Sequence, residues 1–178
     1  IHLEDVLNTI RESLGITLRT GRTKGGKRVL GVFKITPEVI RSRGYGDIDT
    51  IAHEIGHNLD KRYGLRNKAD QQELLDFVNK YSPNHLSSYK DVSTHVPEAI
   101  AEYFRALFTD PVFAKKEAPN FTKLIEQSLS KNDAKGLSRA SDVIKKWFSQ
   151  TELEREDQKM IFGRPKQKKW MSGAERLY

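Results

Sequence analysis

Every strong run of β-forming residues in this chain falls before residue 43, and beyond it the apolar residues recur at helical spacing. Ile16 to Thr20, Arg28 to Lys34 and Val39 to Ser42 read as strands, the last two forming a hairpin about Pro37 and Glu38. Leu3 to Leu14 precedes them as an amphipathic helix ended by Gly15. After the break at Gly44 and Gly46, Asp47 or Asp49 caps a helix running to about Tyr63, with Gly64 in the terminating place. Further helices are expected over Asp70 to Tyr81, Pro97 to Phe108, Pro119 to Leu129 and Ser141 to Phe148. Ser82 to Val96 reads as loop, Asn132 to Gly136 as a break, and the chain from Glu152 onward as a charged tail. Strands segregated ahead of helices argue for an α+β fold. The expected organisation is one domain over residues 1–132, followed by a helical extension and a basic tail or linker over 133–178.

The helix after the hairpin carries His53-Glu54-Ile55-Gly56-His57, the H-E-x-x-H pattern. Residues four apart share a helix face, so both imidazoles can reach one ion. Glu54 stands beside them, placed to act on a metal-activated water without being a ligand. Ile48, Ile51, Ala52, Ile55 and Leu59 occupy the opposite face and anchor the helix.

The chain has no cysteine, which removes thiolate metal sites, disulfides and cysteine nucleophiles together. A third metal ligand must then be a carboxylate or another histidine. The stretch Glu98-Ala99-Ile100-Ala101-Glu102 offers two acids one turn apart on an otherwise apolar helix, where an idle carboxylate would be costly. Glu98 is assigned to the metal. Glu102 falls where an acceptor for the ring N–H of a ligand histidine belongs. Two imidazoles and one carboxylate are a catalytic zinc set, with Glu54 as general base in hydrolysis of a carbonyl compound. Tyr89 and His95, in the loop before the ligand helix, are both candidates to assist the oxyanion.

This expected ligand set resembles that of the gluzincins, and further stretches narrow the likeness. Between about Leu30 and Ser130 it resembles the lethal-factor-like peptidases: the anthrax toxin component, the clostridial Pro-Pro endopeptidases and related domains of phage-type multidomain proteins. The stretches are L-G-V-F-K-I-T-P-E-V-I-R, H-E-I-G-H-N-L-D, E-A-I-A-E-Y-F-R-A-L-F-T-D and K-K-E-A-P-N-F-T-K-L-I-E. The resemblance implies a zincin-like fold and a zinc endopeptidase acting on protein or peptide substrates. It implies His53, His57 and Glu98 as ligands, Glu54 as the base and Glu102 behind the histidines. It favours Tyr89 over His95 for the oxyanion, although Tyr89 lies further from Glu98 than the family's spacing. It also implies that the hairpin strand, with Val29, Leu30, Gly31, Val32 and Phe33, pairs with an extended substrate.

The remaining features bear on partners. No apolar run approaches the roughly 20 residues needed to cross a bilayer. The net charge of +7 is concentrated towards the end, at Arg164, Lys166, Lys168, Lys169 and Arg176. Such a segment reads as a solvated linker before it reads as a nucleic-acid footprint. Without an initiator Met or a basic-then-apolar leader, the chain reads as a domain cut from a longer polypeptide. The absence of cysteine fits a reducing cytosol and equally an effector delivered by translocation. Two other readings are a DNA-associated or antirepressor-type regulatory peptidase and a non-catalytic protein-binding module retaining the fold.

Overall fold

The computed structural model describes residues 1–20, 31–34, 39–42, 44 and 46–163. Helix α1, Leu3–Leu14, buries Leu3, Val6, Leu7, Ile10 and Leu14, the stripe its spacing requires. Strands β1 (Thr17–Thr20), β2 (Gly31–Lys34) and β3 (Val39–Ser42) form one sheet in the order β1-β3-β2. β2 and β3 pair antiparallel, Gly31 opposite Ser42, as the hairpin predicts. β1 pairs parallel to β3, Thr17 opposite Val39, a relationship no local pattern encodes. Leu18 and Ile40 turn one sheet face into the core. The connecting residues 21–30 and 35–38 lie outside the described residues, and with them the expected turn at Pro37 and Glu38.

The longer elements described after the sheet are helices: α2 (Ile48–Tyr63), α3 (Gln71–Tyr81), α4 (His95–Thr109), α5 (Pro111–Glu117), α6 (Pro119–Ser128), α7 (Lys131–Phe148) and α8 (Glu152–Gly163). The fold is α+β, mainly helical with a small N-terminal sheet. α3, α4 and α6 meet through aromatic side chains; Tyr103 and Phe121 stand edge to face, with centroids 4.8 Å apart at 89°. Among the described residues no helix is long and apolar enough to cross a membrane.

Three expectations need correction. A short helix, α5, follows the expected end of Pro97 to Phe108, because Asp110 accepts a hydrogen bond from the Phe113 amide (3.1 Å) with Pro111 in the first turn. The break expected over Asn132 to Gly136 is instead the beginning of α7, capped by Ser130. Gly136 serves packing here: a Cβ at this position would lie 2.0 Å from the Ser13 carbonyl oxygen, so its absence lets α7 lie directly against α1. The expected boundary at residue 132 thus falls in the first turn of α7, whose Leu137, Ala140, Ile144 and Trp147 belong to the same buried cluster as α1, α2 and α4. Finally, the segment from Glu152 to Gly163 forms α8. Thr151 and Glu154 cap each other's backbone amides at 2.8 and 3.3 Å, and the Gln158 side chain accepts from the Leu3 amide at 2.7 Å. Residues 164–178, including the basic cluster, lie outside the described residues.

Candidate metal centre

Helix α2 starts where Asp47 accepts a hydrogen bond from the Thr50 amide at 3.1 Å. Ile48, Ile51, Ala52, Ile55 and Leu59 then face inward, which leaves His53 and His57 together on the rim of that face. Gly56 decides how near the next helix can come. A Cβ there would lie 2.6 Å from the Ala101 Cα, a backbone atom of α4 that cannot step aside alone. The bare glycine and the small residues Ala99 and Ala101 let α2 and α4 pack backbone to backbone. Glu98 and Glu102, one turn apart on α4, therefore reach the histidines.

Glu98 lies between the two imidazoles. Its Oε2 is 3.3 Å from His53 Nε2, and its Oε1 is 3.4 Å from His57 Nε2. One ligand atom from each of His53, His57 and Glu98 lies within 4.8 Å of the others, and among the described residues this is the one group able to hold a metal ion. The separations fit such a role, because ligands bonded at about 2.0–2.1 Å in a tetrahedron stand about 3.3 Å apart. A second observation agrees: Glu98 Oε2 is buried and has no hydrogen-bond partner among the described residues. A carboxylate oxygen in that condition is expensive until a cation or a hydrogen-bond donor completes it.

Glu102 lies behind His53. Its Oε1 is 2.8 Å from His53 Nδ1, and its Oε2 accepts from Ser82 Oγ at 2.7 Å and from Arg105 Nη2 at 2.5 Å. Arg105 also donates to Asp49 at 3.2 Å, so the carboxylate is held from several sides. With Nδ1–H given to Glu102, the bare nitrogen of a neutral His53 is Nε2, the atom that faces Glu98.

The charges follow from this packing. Burial is the largest influence on Glu98 and would raise its pKa, but the imidazoles of His53, His57 and His85 outweigh it and hold the carboxyl well below the usual range. Burial likewise pushes Glu102 up, while hydrogen bonds from His53 and Ser82 and the charge of Arg105 bring it below its ordinary value. For His53, burial lowers the pKa; the two carboxylates more than offset that and raise it to about 9 in the metal-free protein.

The remaining sequence candidates separate. Glu54 is 6% exposed on α2, and its carboxylate is close enough for its charge to act on the Tyr89 hydroxyl. Tyr89 faces the centre: burial and then the Glu98 carboxylate push its pKa well above the usual tyrosine value, so it keeps its proton. His95 turns elsewhere. It begins α4, two residues before the expected helix start at Pro97, and its Nε2–H donates to the Tyr89 carbonyl at 3.0 Å. It thereby holds the loop that carries Tyr89. Gly31, Val32 and Phe33 lie on β2, an edge strand next to α2, whereas Val29 and Leu30 lie outside the described residues.

One histidine at the centre had no signal in the sequence. His85, in the α3–α4 loop, brings its Nε2 to 3.4 Å from Glu98 Oε2. It shares no helical spacing with His53, His57 or Glu98, so only the folded loop reveals it. No family model, characterised protein or solved structure matches the chain.

Proposed function

We propose that this chain is a zinc-dependent endopeptidase domain with a zincin-like fold of the gluzincin type. The observation that carries the reading is the meeting of His53 Nε2, His57 Nε2 and the Glu98 carboxylate from two helices, with Glu102 setting the His53 tautomer. Two imidazoles and one carboxylate, with no thiolate, are a donor set that suits a catalytic zinc. When bound, the ion supplies Lewis acidity to a water and to a scissile carbonyl.

The protein's own groups account for the rest. Glu54 takes the proton of the attacking water and delivers it to the departing amine. Tyr89, kept protonated, donates a hydrogen bond to the oxyanion that develops on the former carbonyl oxygen. Among the described residues β2 is an edge strand beside α2, and along Gly31 to Phe33 an extended peptide can add a strand and present its backbone to the site. The substrate class is accordingly a protein segment in extended conformation.

Cleavage of a peptide library by the zinc-loaded protein, beside its Glu54→Gln variant, tests the reading. The native protein should cut and the variant should hold zinc without cutting. Equal activity in both would remove the mechanism, and a native protein that holds zinc yet cuts nothing would favour a binding module.

A further inference from the structure

His85 approaches the centre from a loop, at the start of the short turn Leu86–Ser88. Its ring packs against Tyr89, with centroids 5.4 Å apart, and edge-on to His53 at 5.9 Å. Its Nε2 is buried without a hydrogen-bond partner among the described residues, and so is Glu98 Oε2. These two unsatisfied atoms stand 3.4 Å apart, one able to donate and the other able only to accept. Leaving both unpaired in a buried site is costly, and a small rotation of either side chain would join them.

His85 lies outside the group of His53, His57 and Glu98 whose atoms share a 4.8 Å compass. The two ligand histidines must present bare nitrogens to an ion, so neither can then donate to Glu98. His85 is the remaining imidazole within reach of Oε2, and a ring N–H on its Nε2 can donate there. Ligating carboxylates are commonly held by such a donor.

We propose that His85 is a positioning residue for the third metal ligand: its Nε2–H donates to Glu98 Oε2, and the carboxylate presents Oε1 to the ion. The same bond ties the loop carrying Tyr89 to the ligand helix, alongside the Ser82 contact to Glu102. This rests on the metal-centre reading and adds a residue to it.

The experiment compares the native 178-residue chain with its His85→Leu and His85→Gln variants, reading zinc affinity by competition with a chelating dye. Metal-free melting and the visible spectrum of the cobalt-substituted protein complete the comparison. His85→Leu should bind zinc about 10–100-fold more weakly. Its cobalt bands should lose intensity as Glu98 turns to two-oxygen binding, and a cooperative metal-free melt shows that the variant is folded. His85→Gln, whose amide N–H can still donate, should restore most of the affinity and the spectrum. Native affinity in the Leu variant would overturn the proposal, as would failure of Gln to rescue it. Failure of the underlying reading looks different: His53→Ala and His57→Ala would then bind zinc as the native protein does.

Discussion

The Nδ1 of His53 lies 2.8 Å from Oε1 of Glu102, a carboxylate with no solvent exposure on the neighbouring helix. Two elements far apart in sequence thus share one proton, and its position decides whether the Nε2 that faces Glu98 is bare. Replacing Glu102 with Gln keeps the shape but lets an amide N–H face Nδ1, which favours the tautomer with the proton on Nε2. Zinc affinity should fall about 10–100-fold, as measured by chelator competition. Unchanged affinity would mean that the tautomer is set elsewhere.

Gly56 brings the two helices together, so enlarging it should damage the centre without touching a ligand. In Gly56→Ala the new Cβ would meet the Ala101 Cα at 2.6 Å, and the helices must part. Overpacking of this kind costs about 1–3 kcal/mol. Denaturant unfolding should show that loss, accompanied by weaker zinc binding. Full retention of both would show that α4 shifts freely.

The raised pKa of His53 gives the metal-free protein a distinctive pH dependence. A group held at about 9 when folded and near its ordinary 6.5 when unfolded contributes stability fully present below 6.5. That contribution fades as pH rises through about 9. A metal ion taken up at His53 would have to displace the same proton, so zinc binding at neutral pH should release one proton and weaken on acidification. Melting with a chelator across this window, and calorimetry in buffers of different ionisation enthalpy, read the two effects. A metal-free melting temperature that rises from pH 6.5 to 9 would contradict the assignment.

Tyr89→Phe removes one hydroxyl from a ring that His95 helps to hold through the Tyr89 carbonyl. If the hydroxyl serves the oxyanion, kcat should drop about 10²–10³-fold, with KM and zinc content little changed. A rise in KM at constant kcat would assign Tyr89 to substrate binding.

Much of this architecture is legible because it is local. The cap at Asp47, the stripe on α2 and the four-residue spacings of His53 with His57 and of Glu98 with Glu102 depend on helix geometry alone. The hairpin of β2 and β3 follows from β propensity and a short connection. Even α8 had a local signature in Thr151 and Glu154, although its charged composition obscured it. Gly136 misleads for the opposite reason. Its meaning lies in a carbonyl on α1, and a glycine read without its neighbour looks like a break.

By itself, then, the order of residues determined which side chains share a helix face, and hence that two imidazoles and two carboxylates stood ready in pairs. Only the tertiary structure decided that the pairs meet, that Glu98 lies between the imidazoles while Glu102 backs His53, and that His85 joins them from a loop. The physical reason is range: helical periodicity acts over a few residues, whereas the approach of α2 to α4 depends on what each helix lacks at Gly56 and Ala101.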